Sequence, residues 1–324
     1  VMLEMHAGSL FIMSKAWCEK HKVERAQDFK NNEESYAARN AIGTGPFILV
    51  SRDPDVRSVF KKNPHWWGLK EKGYFDGNVE DIVFTPIKAE GTRMAALLSG
   101  ELDFVLDPPV QDVERLKQNK SVRLYEGREN RIIFLQMDQA RDELLYSNVK
   151  GKNPFKDKRV RQAFYQAIDT ETIKTRVMRN AATPTGLMVA PGIKGFVADM
   201  NRRLPHDVEA ARKLLADAGY PNGFEVGMNC PNDRYVNDGD ICQAVAANLA
   251  RVGVKVNLMA ESKVTYFPKI LRRDTSFYLL GWTPGTYDSH NPLVSLMATP
   301  TDKGQGQFNL GWYSNPKVDE LTAK

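Results

Sequence analysis

Between residues 224 and 281 the chain alternates two kinds of segment, and this alternation restricts its fold more than any other feature. Segments 224–229, 254–259 and 277–281 are of strand length and read as strands. Segments 240–252 and 263–271 lie between them and show the apolar spacing of helices. Strands separated by helices read as βαβ units with right-handed crossovers, building a sheet covered by helices. Another helix is predicted over 208–218. Gly219 ends it where a left-handed C-cap residue is needed, and Pro221 blocks continuation.

The earlier chain is less regular but of the same α/β kind. Segments 47–51 and 56–61 flank Asp53-Pro54-Asp55, a turn composition that predicts a hairpin. Strands are predicted over 79–87, 102–106, 122–125 and 132–136, with helices over 92–98 and 110–118. The segment 138–156 is polar and broken by Gly151 and Pro154, and it marks a domain boundary. A helix follows, with Asp157 as its N-cap and an apolar stripe of Val160, Ala163, Phe164, Ala167 and Ile168.

A chain of 324 residues buries a large core and normally makes two domains. Its net charge of +5 arises from 45 basic and 40 acidic residues spread without a basic block, so no nucleic-acid partner is expected. No run of 18 apolar residues is present for a membrane span. The first residues, Val1 to His6, lack the basic start and apolar stretch of a signal peptide.

Catalytic signals are thin. His6, His21, His65, His206 and His290 form no HExxH pattern, and Cys18, Cys230 and Cys242 have no zinc spacing. No serine occupies a G-x-S-x-G elbow, and nothing in the sequence fixes Asp288 against His290. The expectation is therefore no catalytic residue, no metal and no cofactor. Lys158, Arg159 and Arg161 read as a solvated face or a salt bridge to the preceding segment. Trp66-Trp67 reads as packing.

Two loops carry ligand chemistry. The segment from Asn229 to Asp238 follows a strand and precedes a helix, the carboxyl edge where open α/β sheets bind ligands. Asn232 and Tyr235 give it hydrogen-bonding groups, and Arg234 offers a fixed fork for a carboxylate. The segment from Gly281 to Asp288 also follows a strand. There Trp282 and Tyr287 supply aromatic surface, Gly285 allows close backbone approach, and Asp288 accepts a donor.

Six motifs in order are Gly43-Thr44-Gly45-Pro46-Phe47, Asn63-Pro64-His65-Trp66-Trp67, Ser99-Gly100-Glu101-Leu102-Asp103, Val160-Arg161-Gln162-Ala163, Ala218-Gly219-Tyr220-Pro221 and Gly281-Trp282. Together they resemble the family of bacterial solute-binding proteins (family 5) that deliver peptides, nickel chelates and related solutes to ABC importers. The resemblance implies an α/β, two-lobed, type II periplasmic-binding-protein-like fold. Each lobe is a mixed β-sheet flanked by helices, and the ligand cleft lies between the lobes, closed by a hinge. It implies a periplasmic protein, monomeric at full length, whose partners are a small-molecule or short-peptide ligand and a membrane permease.

By the same resemblance the chain reads as a fragment. Residues 1–138 would be part of lobe 1 with its N-terminal portion missing, and 139–324 would be lobe 2 without its C-terminal return. Such a piece is expected to expose sheet edges in its first half and to self-associate or fray there. In an exported protein Cys230 and Cys242 can pair across one loop, but free thiols are the expectation, since sequence proximity does not fix bonding geometry.

In dipeptide-binding members an Arg in the loop matching Arg234 receives the ligand's carboxylate. An Asp that follows the Gly-Trp pair after two intervening residues takes the peptide's amine, and here Gly285 stands in that place, with Asp288 at a later acidic position. The expected ligand is a peptide-like or acidic small solute. One without a free α-amine avoids an unpaired buried group, roughly 1–3 kcal/mol or more. Alternatively Asp288 reaches the amine from three residues away. Nickel-chelate or opine-type ligands are alternatives within the family, the former using His290. A receptor or chaperone module and a hydrolase are the alternatives outside it.

Overall fold

The structure, a computed structural model, describes residues 12–25, 34–71 and 78–324. Val1 to His6 lie outside the described residues. The chain divides into two compact units, Val1–Ala96 and Leu97–Lys324.

The first unit holds helices α1 (Lys15–His21) and α2 (Ala37–Asn40) and a sheet of three strands, β1 (Phe47–Asp53), β2 (Arg57–Lys62) and β3 (Asp81–Phe84). The strands pair antiparallel in that order, so the hairpin about Asp53-Pro54-Asp55 forms as its turn residues dictate. Ile48, Val50, Val83 and Phe84 of this sheet remain exposed. Helix α3 (Glu90–Ser99) carries the chain across the division between the units.

The second unit contains three apolar clusters of buried residues. Its sheet has the order β4-β7-β5-β6, built from β4 (Ile132–Met137), β5 (Glu225–Pro231), β6 (Lys255–Glu261) and β7 (Phe277–Trp282). Strand β5 is parallel to both β6 and β7, and β4 runs antiparallel to β7. The helices of this unit include α4 (Val113–Gln118), α5 (Lys158–Ala167), α6 (Val208–Asp217), α7 (Asp238–Ala250), α8 (Lys263–Leu271) and α9 (Pro316–Thr322). The βαβ units are thus β5-α7-β6 and β6-α8-β7.

Period-2 alternation along β7 separates two cores. Phe277 and Leu279 join Val226, Met228 and the apolar residues of α5, α6 and α7. Tyr278 and Leu280 join Tyr266 and Ile270 of α8 with Leu296 and Leu310. Asp157 caps α5 by accepting from the Arg159 N–H at 2.8 Å, and Asp207 caps α6 through the Ala210 N–H at 2.8 Å.

Some expectations need correction. Segments 102–106 and 122–125 form no strands, and Phe104, Leu106 and Tyr125 are exposed. A strand persists only where a neighbour completes its ladder, and no strand of the described residues pairs with either segment. Cys230 and Cys242 are not free thiols but a disulfide. The tight connection from β5 into α7 brings their Cα atoms to 6.5 Å, within bonding range, and both side chains are fully buried. The compact units divide at Ala96 and Leu97.

Arg159 folds onto Asp157, and Arg161 donates to the carbonyls of Phe155 and Lys156 at 2.7 and 3.0 Å. Both arginines tie α5 to the chain ahead of it.

Candidate functional site

Because β5, β6 and β7 share a direction, their carboxyl ends fall on one edge of the second sheet. The antiparallel β4 starts at that same edge, with Ile132 opposite Trp282. The edge therefore collects the loop after β5, the loop after β7 and the residue ahead of β4, Arg131.

The loop after β5 is held by a buried carboxylate. Asp238 accepts from the backbone N–H groups of Arg234 (3.0 Å), Tyr235 (2.9 Å) and Gly239 (2.9 Å). Burial pushes its carboxyl above the ordinary carboxylate value, and the three N–H donors partly oppose that. Asn232 is exposed, and its N–H donates to the Glu261 carbonyl at 3.0 Å. The Cys230–Cys242 bond closes the loop at its base. From this fixed frame the Arg234 side chain projects as an exposed cation.

Tyr235, in contrast, is buried and joins the two loops. Its hydroxyl accepts from the Gly281 N–H at 2.9 Å and lies 3.3 Å from the Gly281 carbonyl, to which it donates. Burial raises the phenol's pKa, so it stays a neutral donor at neutral pH. Glycine is needed at 281, since a Cβ there would stand 2.6 Å from both Tyr235 Cε1 and Ile133 Cδ1.

The loop after β7 is anchored on its apolar side. Trp282 is half-buried, its ring 4.8 Å from that of Phe308, and its Nε1–H donates to Asn291 Oδ1 at 2.9 Å. Asp288 accepts from the His290 N–H at 2.9 Å through Oδ1, and its Oδ2 lies 3.8 Å from Lys194 Nζ. Lys194 and Asp288 also form a backbone bridge, in which the Lys194 N–H donates to the Tyr287 carbonyl at 3.0 Å. Gly285 and Tyr287 are exposed, while Thr286 is buried.

Arg131 is the residue that sequence reasoning missed. Its guanidinium carbon lies 5.7 Å from the Tyr235 ring centroid, and that of Arg234 lies 4.8 Å from the same centroid. Its Nε–H donates to Thr283 Oγ1 at 3.0 Å, and its Nη2 is 2.7 Å from Glu129. The only signal was a charged residue directly ahead of an apolar strand, and the strand's direction was needed to place it. Lys194 was missed likewise, because it reaches the loop from elsewhere in the chain, and so was Asn291, which lies just past the loop's end.

The arrangement is a basic, aromatic-walled sheet edge suited to holding an anionic group. Among the described residues no group of three or more His, Cys, Asp or Glu side chains is placed to hold a metal. No described helix is long and apolar enough to cross a membrane.

The sequence profile of the bacterial extracellular solute-binding proteins, family 5, middle part, matches residues 3–304. The chain is 27% identical over 283 residues to the dipeptide-binding protein of Escherichia coli, covering 86% of this chain and 49% of that protein. It is 26% identical over 288 residues to heme-binding protein A of Haemophilus influenzae, covering 86% of this chain and 48% of that one. The chain thus spans about half the length of the curated relatives it matches. Among solved structures it is similar to the ABC transporter-associated periplasmic binding protein DppA from Helicobacter pylori in complex with the peptide STSA. That similarity has a TM-score of 0.82 at 21% identity, over 99% of this chain and 57% of the other. The fold is therefore of the α/β periplasmic-binding-protein class.

Proposed function

This chain belongs to family 5 of the bacterial extracellular solute-binding proteins, and from that membership we propose that the whole protein captures a peptide-like or acidic small solute for a membrane ABC permease. The observation that carries this reading is Arg234, an exposed guanidinium on a loop fixed by Asp238 and a disulfide at the sheet's carboxyl edge. A rigid fork in that place takes a carboxylate with little ordering of its own. Tyr235 forms the wall behind it. Trp282 and Tyr287 cover the ligand, with Asn232 and Gly285 beside them, and Asp288 offers its Oδ2 to a ligand donor in place of the exposed Lys194.

The protein works in the periplasm as a monomer, binds no nucleic acid, and leaves its ligand chemically unchanged. In the complete two-lobed protein the first lobe reaches to residue 138, and a hinge closes the lobes on the solute.

The test is a thermal-shift screen of the full chain against dipeptides, N-acylated peptides, opines and nickel chelates. A native-state ligand raises the melting temperature with its concentration. Carboxylate-bearing peptides are expected to do so, and Arg234→Ala to abolish the shift. A shift that persists undiminished in Arg234→Ala overturns the assignment of that residue.

A further inference from the structure

Arg131 plays no part in the reading above, yet it shares an aromatic wall with Arg234. Both guanidinium carbons lie within the range of about 6 Å at which a cation interacts with a ring face. Their separation is bounded by the sum of their distances to the Tyr235 centroid, so one small ligand end spans both. Two like charges brought to one ring repel each other, and only Glu129 stands as an ion-pair partner to either of them among the described residues.

That partner is easily displaced. The Glu129 side chain is 56% accessible while that of Arg131 is 22% accessible, so the pair is a screened surface contact holding a well-packed guanidinium. The Thr283 hydroxyl fixes Arg131 from the other side, through Nε, independently of Glu129. The Tyr235 hydroxyl is committed to Gly281 and adds no second anchor.

We infer that Arg131 is a second anion-holding residue of this site. The ligand presents two anionic groups at one end, one to Arg234 and the other to Arg131 in place of Glu129. The ligand class is then a dicarboxylate-ended solute, such as a peptide that terminates in aspartate. This rests on the reading of Arg234 given under the proposed function.

The test is calorimetric titration of the full chain with N-acetyl-Ala-Asp and N-acetyl-Ala-Ala, for the unchanged protein and for Arg131→Gln, Glu129→Gln and Arg234→Ala. Circular dichroism checks that each variant is folded. The aspartate-ended probe should bind roughly 10-fold tighter or more, as a charged hydrogen-bonded contact allows. Arg131→Gln should bring the two probes to within about 2-fold, and Glu129→Gln should tighten the aspartate-ended probe by removing its competitor. An unaltered preference in Arg131→Gln, or weaker binding of the dianion in Glu129→Gln, overturns the inference. Loss of both probes in Arg234→Ala alongside that unaltered preference overturns this inference alone. Unchanged binding in Arg234→Ala, or no binding of either probe by the unchanged protein, overturns the proposed carboxylate site as well.

Discussion

Tyr235 shows how one buried side chain sets the spacing of an otherwise exposed site. Its hydroxyl joins the loop after β5 to the backbone of the loop after β7, and its ring backs both arginines. Tyr235→Phe keeps the ring and orphans the Gly281 N–H. The expected loss is roughly 1–3 kcal/mol in urea unfolding, with weaker ligand binding as the loops separate. Unchanged stability would mean that water replaces the hydroxyl. At this scale the place of Arg234 at the carboxyl edge of the sheet was legible, because its segment lies between a strand and a helix. Arg131 was not, because its relevance depends on which way β4 runs. The state of the cysteines was not legible either: a separation of 12 residues is compatible with many Cα distances, and only the turn from β5 into α7 selects 6.5 Å.

Elements with strong local signals stand where the sequence put them. Lys263–Leu271 is helical over its whole expected span, and the expected cap at Asp157 forms. The segments that failed, 102–106 and 122–125, carried apolar composition but no pairing partner, and composition alone does not make a strand. The caps also carry a pH dependence. The hydrogen bond from Arg159 holds the Asp157 carboxyl below its ordinary value, and hydrogen bonds from Thr172 do the same for Asp169, the N-cap of the short helix Thr170–Thr172. A folded-state pKa below the unfolded one gives stability that is present above the ordinary carboxylate value. It is lost as pH falls through the lower folded value. Asp157→Asn keeps an acceptor for the cap but removes the charge. It should lower stability by at most about 1 kcal/mol at pH 7. Its deficit relative to the unchanged protein should narrow in urea titrations taken toward pH 3. A gap constant with pH would remove Asp157 from the acid response.

For the molecule as a whole, the apolar clusters all lie after residue 131, whereas the sheet of the first unit leaves much of its apolar surface exposed. Amides of β1, β2 and β3 should therefore exchange with deuterium faster than those of β5 and β7, since local opening is governed by buried contacts. Equal protection of the two sheets would contradict this. The antiparallel course of β4 has a consequence of another kind. Arg131 reaches the carboxyl edge of β7 just ahead of a six-residue ladder, Ile132–Met137 against Phe277–Trp282. A slip of two residues in that ladder keeps every side chain on its own face and moves Arg131 by about 7 Å along the strand axis. The hydrogen-bond ladder thus works as a caliper, whose jaw is the gap between the two arginines. A change of register in that ladder therefore alters the spacing of the two arginines with no substitution at either of them.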